Sequence, residues 1–255
     1  MGFRKYIKCN VLKERTGGNI KMSERNYMEV YEQWVNNPLF GQETKDELLS
    51  IKDDPKEIEE RFYCDLVFGT AGLRGIIGAG TNRMNKYTVG KATQGLSNYI
   101  LKNNPEGKAM GVALAYDSRN MSSEFAEMSA LVLNANGIKA YIFDELRPTP
   151  ELSFAVRHLG CTAGIVVTAS HNPPEYNGYK VYWADGAQVV APKDEGIIGE
   201  VNSITDFSAI KMMDKAEAVK NGLFNVIGKE IDDAFVENIK KQAVRPEEVI
   251  KAKDM

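Results

Sequence analysis

No stretch of the 255 residues approaches the ~18 uninterrupted apolar residues that a membrane-spanning helix requires, so no membrane partner is expected. Excess charge of one sign is also missing. Thirty-two basic residues against 35 acidic ones leave a net −3, which supplies no global field for nucleic acid or anionic lipid. Cysteine is scarce and unpatterned: Cys9, Cys64 and Cys161 are odd in number and share no paired spacing. That excludes a disulfide framework and fits reduced thiols in the cytoplasm. With only His158 and His171, a histidine-rich zinc site is excluded as well.

What is present is ordinary globular material. Hydrophobic residues make up 43% and charged residues 26%, enough for a real core and too apolar for wholesale disorder. At roughly 150 residues per domain, the length predicts one to two domains. Residues 1–22 are basic but lack the apolar centre of a signal peptide, and Thr16-Gly17-Gly18-Asn19 interrupts any helix there. They read as a disordered or non-native leader, with Met22 as the natural start; a basic targeting arm is the alternative.

From Ser23 the periodicity turns helical, with Tyr27, Val30, Tyr31, Trp34 and Val35 on one face. A second helix is expected after Thr44, where Thr44 and Glu47 have capping-box spacing, and a third at Asp54-Pro55. Five glycines between Gly69 and Gly80 then predict loops between short strands. Asn85 caps a long helix carrying Val89, Ala92, Leu96, Tyr99 and Ile100. Apolar strands at 110–116, 138–143 and 163–167 alternate with helices at 122–135 and from Thr149-Pro150 to Gly160. That order predicts a parallel sheet covered on both faces. Tyr179–Trp183 and Ala187–Val190 read as a hairpin, followed by a helix after Pro192. The segment from about Asp206 reads as a linker. Ile231, Phe235 and Ile239 mark a last helix with no strand of its own to cover.

Three polar clusters fall where open parallel sheets bind ligands, beyond the carboxyl ends of the strands. In Thr168-Ala169-Ser170-His171-Asn172-Pro173-Pro174 a buried strand runs into a serine on a turn stiffened by prolines. Such a serine costs little entropy to position, although a Ser-His dipeptide is common and is no hydrolase elbow. Gly69-Thr70-Ala71-Gly72-Leu73-Arg74-Gly75 lets backbone amides approach an anion beside a forked cation, and a plain tight turn explains it equally. In Asn177-Gly178-Tyr179-Lys180, Lys180 suits phosphate binding or proton transfer; a solvated lysine is the plainer reading. Asp117-Ser118-Arg119 is weaker, since Arg119 need only pair with Asp117.

Taken together and in order, these clusters resemble the first domain of the α-D-phosphohexomutases, the phosphoglucomutase/phosphomannomutase group with its phosphopentomutase-like relatives. The resemblance implies a mixed, largely parallel sheet sandwiched between helices. It divides the chain into a leader (1–22), a domain I with the serine loop (23–205), and a linker with the start of an incomplete second α/β domain (206–255). It implies that Ser170 is a phosphoserine exchanging its phosphoryl group with a sugar phosphate and, through its phosphate, ligating an essential Mg2+. His171 orients substrate. Arg74 and Lys180 are acid/base candidates and substrate contacts, with Thr70 and Arg119 also binding substrate. The implied reaction interconverts hexose 1-phosphate and hexose 6-phosphate, glucose first, with glucose 1,6-bisphosphate as activator. Members are longer, and their Asp-x-Asp-x-Asp magnesium loop has no counterpart here: Asp53-Asp54 and Asp232-Asp233 are only adjacent pairs. The chain alone is therefore expected to be inactive. A non-catalytic sugar-phosphate-binding module and a non-functional truncated product are the alternatives.

Overall fold

The structure, a computed structural model, describes residues 25–69 and 72–252. The leader at 1–22 and Thr70 therefore lie outside the described residues.

Three helices form a preface: α1 (Tyr27–Asn36), α2 (Gln42–Ser50) and α3 (Pro55–Phe62). Asn26 caps α1 and Asp54 caps α3, each by accepting from first-turn backbone N–H groups. The capping box expected at Thr44 is not formed. Helix α2 starts earlier, from an extended Gly41, and the Glu47 carboxylate instead accepts from Ala79 N and pairs with Arg61. A small core of Tyr31, Trp34, Phe40, Leu48, Ile58, Phe62 and Tyr87 joins this preface to the rest, with Trp34 stacked on Phe40 at 4.1 Å.

Strand β1 (Leu73–Ile76) leads to α4 (Lys86–Asn103), whose N-terminus is closed by a reciprocal capping box between Asn85 and Thr88. The short α5 (Gly107–Met110) takes Met110, the first residue expected for a strand, and Gly111 caps it, so β2 is Val112–Tyr116. Helix α6 (Ser122–Ala135), β3 (Ala140–Phe143), α7 (Thr149–His158) and β4 (Ala163–Val167) follow in the expected order. Next come β5 (Tyr176–Trp183), α8 (Lys193–Ser203), α9 (Lys215–Lys220), β6 (Phe224–Ile227), α10 (Lys229–Lys241) and α11 (Pro246–Lys251).

One six-stranded sheet, in the order β1-β5-β4-β2-β3-β6, organises all of it. Strands β4, β2, β3 and β6 are parallel, while β5 runs antiparallel to both β4 and β1. The alternation of the strands then sorts the core into two faces. Val112, Leu114, Ile165, Val167 and Tyr179 meet Val89, Leu96, Phe125 and Ile197 on one side; Ala113, Ala115, Val166 and Tyr182 meet Leu152, Ala155 and Val156 on the other. The fold is therefore a mixed, largely parallel sheet between helical layers.

The expected hairpin return at Ala187–Val190 is present but short: Trp183 N donates to Ala187 O and Val189 N to Val181 O on either side of an antiparallel bridge between Tyr182 and Gln188, on the part of β5 beyond its pairing with β1. One expectation is corrected here. The segment after residue 205 does not leave the sheet. It passes through a 3-10 turn (Phe207–Ala209) and α9 into β6, which pairs in parallel with β3. That strand precedes the last amphipathic helix, and Ile231 of α10 is buried against the sheet's second face. Among the described residues no helix is long and apolar enough to cross a membrane.

Candidate active site

The serine loop leaves β4 at Val167 and returns as β5 at Tyr176. Within it, Thr168 Oγ1 accepts from Ser170 N at 2.9 Å, and Asn172 N donates to Ala169 O at 3.1 Å. These short closures accompany a left-handed backbone at Ser170, with φ 56°. A non-glycine residue held there is costly and clusters at functional sites. Ser170 and His171 are both exposed.

Register explains how the cations gather. Arg74 of β1 lies opposite Gly178 of β5, and Gly178 and Lys180 share one face of that strand. Arg74 and Lys180 thus project from the same side of the sheet, and Lys180 Nζ donates to Ser170 Oγ at 3.0 Å. Burial lowers the Lys180 pKa from its usual value, the charge of Arg74 lowers it further, and Asp117 opposes both. Two glycines permit this closeness. A Cβ on Gly72, whose φ is +99°, would stand 1.9 Å from Tyr179 O, and one on Gly178 would stand 2.5 Å from Thr168 O.

Arg119 does not stand ready for a ligand. Its Nη1 and Nη2 groups donate to the backbone carbonyls of Ser170, Asn172, Pro173 and Tyr176. The expected pairing with Asp117 is present but long, with Nε 3.6 Å from Oδ2. The substrate contact expected of Arg119 is thus not what its donors do here. An open hollow of about 390 Å3 is lined by Asp117, Ser118, Arg119, Asn120, Ser170, Asn172 and Pro174.

Magnesium finds few ligands in this arrangement. Among the described residues no three His, Cys, Asp or Glu side chains group to hold a metal ion. The one carboxylate lining the hollow, Asp117, already accepts from Ser122 Oγ at 2.7 Å. Because Mg2+ demands six oxygens in octahedral array, the described residues alone do not fit it.

Two roles escaped the sequence reading, that of Asn177 within its cluster and that of the Arg147–Asp232 pair. Asn177 is fully buried, donates to Asn120 O and Ser122 Oγ, and accepts from Gly178 N. The Asn-Gly pair was the only available signal. On the other side of the sheet, Arg147 clamps Asp232 through Nε at 2.7 Å and Nη2 at 2.8 Å, beside the buried Glu151.

A family model described as "Phosphoglucomutase/phosphomannomutase, alpha/beta/alpha domain I" matches residues 65–207. A phosphoglucomutase of Staphylococcus haemolyticus is 38% identical over 183 residues, covering 71% of this chain and 32% of that protein. A phosphopentomutase of Mus musculus is 40% identical over 170 residues, covering 64% and 27%. Among solved structures, a phosphomannomutase-type protein of Thermus thermophilus superposes with a TM-score of 0.57 at 26% identity, covering 70% of this chain and 36% of that one. The chain spans about a quarter to a third of the length of the curated relatives it matches.

Proposed function

This chain belongs to the phosphoglucomutase/phosphomannomutase family through its α/β/α domain I, and on that premise we propose that it is the phosphoserine-bearing part of a cytoplasmic isomerase interconverting hexose 1-phosphate and hexose 6-phosphate, with glucose as the sugar. The observation that carries this reading is the 3.0 Å contact between Lys180 Nζ and Ser170 Oγ on a left-handed turn. For the chain by itself we propose the half-reaction, acceptance of a phosphoryl group by Ser170, without turnover.

In that step the Ser170 oxygen attacks a phosphorus of glucose 1,6-bisphosphate. The Oγ–P bond forms as the sugar O–P bond breaks. Neutral Lys180 takes the hydroxyl proton and passes it to the departing sugar oxygen. The lowered Lys180 pKa favours the neutral form that this role needs. Arg74, permanently charged, serves to neutralise the phosphoryl oxygens rather than to move a proton. His171 orients the phosphate beside it. A magnesium ion, for which the described residues supply no complete ligand set, would add charge neutralisation from ligands beyond them.

The test is intact mass before and after incubation with glucose 1,6-bisphosphate and magnesium. A gain of about 80 Da, abolished in S170A, is expected; no gain in the wild type refutes the reading. Similarity to a phosphopentomutase favours a second reading in which pentose bisphosphate is the better donor. Comparing ribose 1,5-bisphosphate in the same assay separates the two.

A further inference from the structure

A serine in the left-handed region needs restraint from its surroundings, and the loop's own hydrogen bonds do not supply enough. Thr168 holds Ser170 N, Ala169 O accepts from Asn172 N, and Pro173 O accepts from Tyr176 N at 3.0 Å. Each of these closes one short turn. None fixes the turns relative to one another.

One side chain does that. Arg119 donates through Nη2 to Ser170 O at 2.7 Å and to Asn172 O, and through Nη1 to Pro173 O at 2.9 Å and Tyr176 O at 3.2 Å. A guanidinium has five N–H donors in a rigid plane, and four of them are used here on carbonyls spread over residues 170–176. The fifth faces Asp117. The side chain is only 14% exposed, so neither donors nor surface remain for a sugar phosphate.

The cation is itself held from behind. Asp117 Oδ1 accepts from Arg119 N at 3.0 Å and from Ser122 Oγ at 2.7 Å. Asn177 Nδ2 donates to Ser122 Oγ at 3.0 Å and to Asn120 O at 2.9 Å. This chain of bonds ties the end of β2, the start of α6 and the start of β5 to one guanidinium. The polar groups involved are thereby satisfied and mutually fixed.

We infer that Arg119 is the positioning residue of the serine loop: it spends its donors on the loop backbone, not on substrate, and sets the turn that presents Ser170 Oγ to Lys180 Nζ. The kinetic part of its test rests on the reading of Ser170 as phosphoryl carrier; the structural part does not. Lysine at this position keeps the charge but offers three tetrahedrally arranged donors, which cannot span the four carbonyls.

The test compares wild type, R119K and R119A in the full chain. Amide hydrogen exchange of peptides covering 168–177 should accelerate about tenfold or more in both variants, with peptides from β2 and α4 unchanged. The maximal rate of phosphoryl uptake from glucose 1,6-bisphosphate should fall about 100-fold in R119K, because small displacements at a reacting atom cost that much. The half-saturating concentration should stay within about twofold, since Arg119 makes no substrate contact. A higher half-saturation with the maximal rate kept, or unchanged loop exchange, overturns the inference. Should both variants fail to fold, the wild type still decides: its Arg119 side-chain N–H signals should be individually resolved by NMR and unmoved by the bisphosphate. Averaged or ligand-shifted signals overturn it. If wild type takes up no phosphoryl group, the proposed function fails while exchange and NMR still judge Arg119.

Discussion

Glu151 offers the sharpest pH test of how α10 is fastened to the sheet. It lies in α7, 5% exposed, against Asp232 of α10, and its Oε1 atom has no hydrogen-bond partner. Burial pushes its pKa up to about 7, helped by hydrogen bonding to Asp232 and by the Asp232 charge, against Arg147. Asp232 moves the other way, held below its usual value chiefly by the Arg147 guanidinium, with Lys229 adding to that pull and Asp144 sharing the same arginine. In its protonated form Glu151 can donate to the charged Asp232. Because the folded state binds the Glu151 proton more tightly, that contribution is full below pH 4.5 and is lost as pH rises through about 7. The Asp232 contribution is present above 3.8 and lost as pH falls through its own lowered value. Raising a carboxyl from 4.5 to about 7 corresponds to at most about 3 kcal/mol. Since the proton is shared between two partners, roughly 1–3 kcal/mol is expected, or about 2–10 °C in melting temperature for a chain of this size. E151Q keeps a donor for Asp232 and cannot ionise. In thermal melts by circular dichroism it should resemble wild type at pH 4 and exceed it by that margin at pH 8. Titrating groups not coupled to Glu151 cancel in the difference, so an equal difference at both pH values refutes the shared proton.

Two further changes probe the site. K180M should slow phosphoryl uptake by Ser170 about 10²–10⁴-fold, the usual worth of a positioned base. The wild-type rate should climb with pH as Lys180, its pKa lowered by burial and Arg74, gives up its proton, and that climb should vanish in K180M; a retained pH profile assigns the proton to another group. G72A places a methyl 1.9 Å from Tyr179 O at φ +99°, which should cost roughly 2 kcal/mol or more in urea melts and loosen β1 from β5. Wild-type exchange rates at residues 73–76 in that variant refute the close approach.

Much of the fold was legible because its signals are local. Asn85, Asp54-Pro55 and Thr149-Pro150 start helices for reasons contained within four residues, and the continuous apolar runs of β2 and β4 report burial on both faces. Long-range pairing left no such trace. Phe224–Ile227 is only four residues, with Asn225 half-buried and Val226 exposed, so nothing in that stretch announces an edge strand beside β3. Misreading it turned the end of the chain into a linker. Thr44 and Glu47 failed for a related reason: the spacing of a capping box is also the spacing of a carboxylate that Ala79 N and Arg61 claim from outside the helix.

At the site, residue type marked the chemistry and topology decided the roles. A serine, two basic side chains and a glycine loop could be named from their order, but Arg74 and Lys180 become neighbours only through the antiparallel register of β1 on β5. Arg119 shows the limit most clearly. Side-chain partners leave a pattern in the sequence, a carboxylate here for a guanidinium there, and Asp117 two residues away made the local pairing the natural expectation. Backbone carbonyls leave none, because every residue carries one. An arginine with four of its five donors on carbonyls 170, 172, 173 and 176 is invisible until the loop is folded around it. The same blindness extends to Ser170: its left-handed turn is imposed from outside the loop, by a cation that precedes it by about fifty residues in the chain.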